Sequence, residues 1–238
     1  MSEDPLLDPV WNALHTIHAH FAVRHESAVR YPADVVPYAA LLNGDHRDLS
    51  PFAELLAPGE RVYLIGARPD STNNFQVGPP LNCFQMIFPT EPWANGALDD
   101  ALANHVSNET QVLHMTQEDA PAMVALTDLA FPGFFRPRTN EMGAYYGIRI
   151  NDELIAMAGE RLAMPGFREI SAVCTHPAHT GKGYARLLMH RLLLDHAAAG
   201  LKSFLHVSEP NSRAISIYKK MGFVVIRSVA LWPISLRS

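Results

Sequence analysis

The sequence predicts an α/β fold in which a mixed central sheet is flanked by helices. Three observations support this prediction. From residue 111 onward, apolar stretches of strand length alternate with stretches of helical periodicity. The 238 residues are enough to bury a substantial core. With 48% hydrophobic and 18% charged residues, the composition is typical of a globular protein, not of a disordered one.

Charge and cysteine content indicate which classes of partner are unfavourable and which cellular compartment is favoured. The formal net charge is −5 and the chain has no cluster of Lys and Arg, so nothing favours a nucleic-acid partner. No run of about 18 apolar residues suggests a membrane span. The acidic start at residues 1–5 does not resemble a signal peptide, and the two cysteines, Cys83 and Cys174, cannot form a disulfide framework. We therefore expect a cytoplasmic protein. The sequence leaves the oligomeric state open, with a mild preference for a homodimer because most soluble oligomers are symmetric dimers.

The first part of the chain, residues 1–108, is expected to form a smaller N-terminal α/β domain. Its pattern of apolar and polar residues is less regular than that of the remainder of the chain. Residues 68–82 are rich in Pro, Asn and Gly, which indicates a loop. The predicted elements are helices over 9–25 and 51–57 and strands over 61–66 and 83–88.

The second part, residues 109–238, has the predicted order β-α-β-β-β-α-β-α-β, which indicates a mixed sheet with helices on its faces. Thr116 is a plausible N-cap for the first helix, and Gly200 lies where a left-handed C-cap is favoured. The predicted strands are 111–115, 145–150, 153–164, 169–175, 203–207 and 223–229, and the predicted helices are 117–131, 184–199 and a short one capped by Asn211 or Ser212 that runs to Met221.

The most informative motif is a glycine loop between the fourth of these strands and the helix that begins at Tyr184. It reads Thr180-Gly181-Lys182-Gly183-Tyr184-Ala185. Free N–H groups at a helix N-terminus bind phosphate, glycines let the phosphate approach closely, and Lys182 adds a positive charge. The loop is therefore predicted to be a diphosphate cradle, with a simple glycine turn as the alternative.

Two other phosphate-binding motifs do not fit this loop. A P-loop requires Gly at the position of His176 and Ser or Thr at that of Gly183. A dinucleotide fingerprint requires a third glycine where Arg186 stands.

A second motif follows near the C-terminus, where Asn211 is followed seven residues later by Tyr218 and then by Gly222-Phe223. Together the two motifs resemble the GNAT superfamily of N-acetyltransferases, whose acyl-CoA pyrophosphate loop has the pattern Gln/Arg-x-x-Gly-x-Gly/Ala. Gly183 and Ala185 match that pattern, whereas Thr180 departs from it and is expected to remove one side-chain contact to phosphate. The resemblance spans residues 111–238 and implies a GNAT-like sheet.

The resemblance implies acetyl-CoA, or another acyl-CoA, as the co-substrate and no metal. Residues of the strand predicted over 169–175 are expected to pair with the pantetheine amides, and the loop is expected to bind the diphosphate. Asn211 is expected to bind the pantetheine arm or to cap its own helix. The residues predicted to bind the donor are Val173, Cys174, Thr175, Thr180, Gly181, Lys182, Gly183, Tyr184, Ala185, Arg186 and Asn211.

Two residues are predicted to carry the chemistry. Tyr218 is protonated near neutral pH and is the predicted general acid for the departing thiolate, with packing on the helix face as the alternative. Glu169 lies 14 positions before Gly183, a register that resembles histone-type members with a glutamate base on this strand. Glu160 is a second candidate base. Both carboxylates are alternatively solvated groups at strand ends.

The predicted activity is direct transfer of an acyl group to a primary amine of a small molecule or peptide. The alternative is a non-catalytic acyl-CoA-binding sensor or interaction module on the same fold. Residues 1–108 contain no glycine cradle and are not expected to bind CoA. They are either a degenerate acyltransferase-like half or an unrelated cap, an arrangement that resembles the glycine N-acyltransferase-like branch.

Cys174, His176 and His179 lie close together, but three residues without a suitable fourth ligand make a poor zinc site. Cys174 is also a poor candidate nucleophile because it lies within a strand. Strict alternation places it on the face opposite Glu169 and Val173, where a small buried role is expected.

Overall fold

A mixed sheet of nine strands forms the centre of the molecule in a computed structural model that describes residues 4–70, 74–89 and 111–237. A separate sheet of three short strands, in the order β1-β2-β3, comes from the N-terminal part. The strands are β1 (Val23–His25), β2 (Ala28–Arg30), β3 (Ala39–Leu41), β4 (Arg61–Ile65), β5 (Phe75–Val77), β6 (Leu81–Ile87), β7 (Leu113–His114), β8 (Tyr145–Ile150), β9 (Glu153–Met164), β10 (Phe167–Thr175), β11 (Lys202–Ser208) and β12 (Val224–Leu236). The α-helices within the described ranges are α1 (Pro9–Leu14), α2 (Ala120–Ala130), α3 (Tyr184–Ala198) and α4 (Ser212–Lys220).

The large sheet has the order β4-β12-β6-β11-β10-β9-β8-β7, with β5 paired to β12. Strands β10 and β11 run parallel, whereas the other pairs of described strands are antiparallel. The predicted fold class, a mixed sheet flanked by helices and preceded by a smaller N-terminal sheet, is confirmed.

Strands from both parts of the chain share the large sheet. β6, from the N-terminal part, lies between β11 and β12, and β4 pairs with β12. The predicted domain boundary between residues 108 and 109 lies outside the described residues. Within the described ranges, no helix is long and apolar enough to cross a membrane.

Helices cover both faces of the sheet. On one face, which we call the α1 face, α1 packs in a cluster with Leu162 and Phe204, and α2 packs in a neighbouring cluster with Met157. On the opposite face, the α3 face, α3 and α4 pack in a cluster with Ile155 and Leu205. β9 and β11 thus contribute apolar side chains to both faces, as expected for a sheet that is buried on both sides.

The predicted helix over 9–25 is too long, because α1 ends at Leu14 and a 3-10 turn covers Ala19–Phe21. The buried ring of His18 accounts for this difference. Its Nδ1 is 2.8 Å from the hydroxyl of Tyr31, and its Nε2 is 3.0 Å from the carbonyl oxygen of Met142. These contacts between residues distant in sequence override the local helical periodicity.

Three other N- and C-terminal predictions also need correction. The helix predicted over 51–57 is a 3-10 helix at Ser50–Glu54. The loop predicted over 68–82 contains β5 and the start of β6. The last strand, predicted to end at 229, continues to Leu236, and Pro233 within it accepts a hydrogen bond from the Gly78 amide. Proline normally argues against a strand interior, so the continuation of this strand through Pro233 is not evident from the sequence.

Candidate active site

The candidate site lies where the parallel strands β10 and β11 separate. They pair only between Phe167–Glu169 and Lys202–Phe204. Beyond Phe204, β11 continues with β6 on its other side, and β10 continues to Thr175 with β9 on its other side. The backbone of residues 173–175 therefore has no strand partner on the side that faces β11 among the described residues.

A bulge in β10 sets which side chains face the opening. Ala172 has a φ of 53°, and the register with β9 shifts between Ser171 and Cys174. As a result, Val173 packs with Ile170 on the α3 face, whereas Ala172 and Cys174 pack on the α1 face. The expectation from strict alternation that Val173 shares a face with Glu169, and that Cys174 lies on the face opposite Glu169, is wrong on both counts, because the extra residue of the bulge reverses the alternation.

The glycine loop connects β10 to α3 as predicted. Gly181 and Gly183 have φ angles of 82° and 83°, in the left-handed region where a side chain is strained. Gly183 is the N-cap of α3 and supplies no side-chain hydrogen bond, so the first N–H groups of this helix are left for water or a ligand. A long helix that begins at an uncapped glycine is well suited to bind an anion.

One cavity of about 570 Å³, which we call the β10 cavity, joins the separated strand, the glycine loop and α4. It is lined by every residue predicted to bind the donor and by Tyr218. Contact of these residues with a ligand stays a prediction. The cavity is also lined by residues that the sequence did not single out for this role: His179, Arg213, Ala214 and Ile217. The spacing of Ala214, Ile217 and Tyr218 along one helix face was a signal that could have identified two of them.

The charges on the β10 cavity wall are positive. Lys182, Arg186 and Arg213 line it, and no Asp or Glu among the described residues does. None of these three basic side chains forms an ion pair within the described part of the chain. The wall therefore presents uncompensated positive charge beside the free N–H groups of α3, an arrangement that attracts phosphate groups.

Tyr218 projects from α4 into the β10 cavity and is largely buried. Burial, with a smaller contribution from the nearby Cys174 thiol, raises the pKa of Tyr218 to about 12. The phenol therefore keeps its proton at neutral pH and is available as a donor. Burial also raises the pKa of Cys174 to about 12, which favours the neutral thiol over a nucleophilic thiolate.

Asn211 has an observed structural role. Its Oδ1 accepts a hydrogen bond of 3.1 Å from the Ala214 amide and so caps α4. The residue also lines the β10 cavity, so both predicted roles are compatible with its position. Among the described residues, no group of three or more His, Cys, Asp or Glu side chains could hold a metal ion.

Glu169 does not line the β10 cavity. Its carboxylate is fully buried on the α1 face and accepts two hydrogen bonds from Arg161, at 2.5 and 2.9 Å, and one from Nδ1 of His206 at 2.7 Å. We call these three residues the buried ion cluster. Burial alone would raise the pKa of Glu169, but the Arg161 guanidinium and these hydrogen bonds lower it to about 2. A carboxylate held in this way is a weak base.

The second candidate base, Glu160, also lies outside the wall of the β10 cavity. Its Oε1 is 2.8 Å from Nε2 of His196, and its Oε2 accepts a hydrogen bond of 3.2 Å from the Ala144 amide. Burial acts to raise its pKa, yet the bond to His196 and the other interactions lower it. Both candidate carboxylates are thus engaged by other protein groups, which sequence spacing did not indicate.

The C-terminal part of the chain is similar to a known protein family. Residues 145–232 match the family described as FR47-like protein. This range begins at β8 and ends within β12, and it includes the glycine loop and Tyr218. No curated protein matches the sequence.

Solved structures resemble almost the whole chain. A protein from Novosphingobium aromaticivorans that is assigned to the GNAT family of acetyltransferases is 27% identical, with a TM-score of 0.83 over 99% of this chain and 100% of its own. A GCN5-related N-acetyltransferase-like protein from Streptococcus suis is 10% identical, with a TM-score of 0.61 over 95% and 93%. A GCN5-related N-acetyltransferase from Kribbella flavida is 14% identical, with a TM-score of 0.56 over 94% and 91%. The last two share the fold.

Proposed function

Because the chain belongs to the GNAT superfamily, we propose that it is an N-acyltransferase that uses an acyl-CoA, most simply acetyl-CoA, to acylate a primary amine. The superfamily predicted from the sequence motifs is confirmed. The narrower resemblance to the glycine N-acyltransferase-like branch stays a prediction.

The observation that carries the proposal is that the phosphate cradle, the unpaired part of β10 and Tyr218 all line the β10 cavity. The residues present fit an acyl-CoA. Free N–H groups at the start of α3, with Lys182 and Arg186 nearby, suit a diphosphate. The unpaired backbone of residues 173–175 suits the amides of a pantetheine arm, which would add to β10 as an extra strand.

The donor supplies a thioester, whose C–S bond breaks as the amine nitrogen forms a bond to the acyl carbon. Tyr218 donates its proton to the departing sulfur, so that a neutral thiol is released. The amine nitrogen loses one proton to solvent, and the phenol is reprotonated from solvent. A phenol with a pKa of about 12 is protonated throughout the neutral range, as this role requires.

Glu169 acts as a positioning residue in this scheme. Its backbone forms the last pair between β10 and β11, at Phe204, and its side chain bonds to His206 on β11 and Arg161 on β9. The buried ion cluster therefore fixes the point where the strands separate, and with it the width of the opening. If Glu169 were instead the base, removing it would lower kcat by about 10²–10⁴ without changing the affinity for the donor. A positioning role predicts that donor affinity falls as well.

The test is thiol release from acetyl-CoA in the presence of a panel of amines, amino acids and short peptides. Gly183→Trp would block the β10 cavity. Gly166→Trp is its matched control, because Gly166 has a similar φ of 77° but lies in the turn between β9 and β10. We expect acceptor-dependent release that Gly183→Trp abolishes and Gly166→Trp retains. Binding of CoA without release for any acceptor would favour the sensor alternative.

A further inference from the structure

A second cavity, which we call the α1 cavity, lies beside the start of α1 and has a volume of about 550 Å³. Three short segments that are distant in sequence line it. They are residues 7–12 around the start of α1, residues 42–44 after β3, and residues 65–67 at the end of β4. Of the residues that the structure describes, none lines both this cavity and the β10 cavity.

A partly buried carboxylate without a cationic partner lies in the wall of the α1 cavity. Oδ1 of Asp8 accepts a hydrogen bond of 3.2 Å from the Trp11 amide. Within the described ranges, Oδ2 accepts no hydrogen bond, and Asp8 forms no ion pair. By contrast, the buried carboxylates of Glu160 and Glu169 are each paired with a cationic or hydrogen-bonding side chain. Asp8 is the N-cap of α1, so its Oδ1 has a structural role, whereas its Oδ2, which lies close to Gly44 in the cavity wall, is left for a ligand.

Burial of the Asp8 carboxylate has an electrostatic cost. Burial raises the pKa of its carboxyl to about 6, although the Trp11 amide acts in the opposite direction. The carboxylate is therefore mostly ionised at pH 7 but poorly compensated. A cation placed in the adjoining space would restore the balance.

The other side chains of the wall are one aromatic ring, several aliphatic groups and the amides of Asn12 and Asn43. The Trp11 indole lines the α1 cavity and stacks on His15, with 3.9 Å between the ring centroids. Leu7 and Leu42 also line it and are 56% and 47% exposed, so they offer apolar surface to a ligand in the cavity. A single carboxylate among aromatic and aliphatic side chains suits a ligand with one positive charge and an apolar body.

We infer that the α1 cavity binds a small organic cation, a primary ammonium with an aromatic or branched aliphatic body. The ammonium group pairs with the Asp8 carboxylate, and the apolar body packs against Trp11 and Leu42. This site goes beyond the proposed acyl transfer, since none of its residues lines the β10 cavity.

The experiment is a calorimetric titration of 2-phenylethylammonium chloride into the full chain without any acyl-CoA. Asp8→Asn is the informative variant, because asparagine caps a helix as well as aspartate does and only the charge is removed. Asp45→Asn is the control, an exposed carboxylate close in sequence to the same cavity. We expect saturable binding to the wild type and to Asp45→Asn, and binding at least about tenfold weaker to Asp8→Asn.

The pH dependence gives a second readout. Wild-type affinity should rise between pH 5 and pH 7 as Asp8 loses its proton, and the affinity of Asp8→Asn should not change over that range. Equal affinity in the two proteins, or no wild-type binding at millimolar probe, would overturn the inference. An unchanged affinity of Asp8→Asn for acetyl-CoA shows that the variant is folded and keeps this outcome separate from a failure of the proposed function.

Discussion

The β10 cavity and the buried ion cluster both adjoin β10, yet they are built in opposite ways. The cavity wall comes mainly from two stretches of sequence, residues 173–186 and 211–218, and its basic groups have no acidic partners there. The cluster joins residues of β9, β10 and β11, and its charges are paired with one another. Uncompensated groups around a cavity indicate a ligand, whereas compensated groups without a cavity indicate a structural role.

The largest expected effect is the loss of stability caused by Glu169→Gln, because this substitution leaves the buried Arg161 guanidinium without its counter-charge. The expected loss is about 3–5 kcal/mol in the free energy of unfolding, as for other broken buried ion pairs. Urea unfolding measures this loss. Glu153→Gln, at an exposed position of β9, is the control and should change stability by less than about 0.5 kcal/mol. A loss below about 1 kcal/mol for Glu169→Gln would contradict the structural role of the buried ion cluster.

The same residue predicts a pH dependence of stability. The pKa of Glu169 is about 2 in the folded protein and about 4.3 in an unfolded chain. A lowered carboxyl pKa stabilises the fold fully above the unfolded value, and this contribution is lost as the pH falls towards the folded value. The difference in unfolding free energy between the wild type and Glu169→Gln should therefore shrink from pH 6 to pH 3. A difference that is constant over this range would contradict the ionised pairing.

On the cavity side, Tyr218→Phe should lower turnover roughly 10²-fold, since the departing thiolate loses its proton donor. Tyr184→Phe is the matched control because Tyr184 lines the same cavity. Steady-state kinetics with acetyl-CoA would show the loss in kcat, with the affinity for the donor nearly unchanged. Unaltered turnover in Tyr218→Phe would assign this side chain to packing alone.

The smallest expected effect concerns Asn211, which belongs to the cavity wall and to a helix cap. Asn211→Ala should lower stability by about 1 kcal/mol, whereas Asn211→Asp should preserve the cap and the stability. Thermal unfolding distinguishes the two variants. If Asn211 also contacts the donor, Asn211→Asp will bind acetyl-CoA more weakly despite its normal stability. If both variants were as stable as the wild type, the result would contradict a stabilising role for the Asn211 cap.

The parts of the site that depend on local sequence were predictable. The glycine loop, the helix that begins at Tyr184 and the position of Tyr218 on α4 follow from spacings within short segments, and the structure places them around one cavity. Their physical determinants, such as left-handed backbone at Gly183, are properties of a few neighbouring residues.

The parts that depend on distant partners were not predictable in the same way. The spacing between Glu169 and Gly183 correctly predicted that Glu169 lies on the strand before the glycine loop. Nothing in the local sequence indicated that Arg161 and His206 would enclose its carboxylate. The bulge at Ala172 is likewise not signalled by a glycine, although Ala172 has a positive φ. The bulge places Val173 on the α3 face instead of the α1 face. Asp8 is the same kind of case, because its environment is formed by segments that meet only in the folded chain.

Calorimetric titration of acetyl-CoA into the wild type, Gly183→Trp and Gly166→Trp tests most directly whether the β10 cavity is the acyl-CoA site. The account predicts saturable binding with one site per chain for the wild type and Gly166→Trp, and no detectable binding for Gly183→Trp. Absence of binding to the wild type, or equal binding to all three proteins, would contradict it.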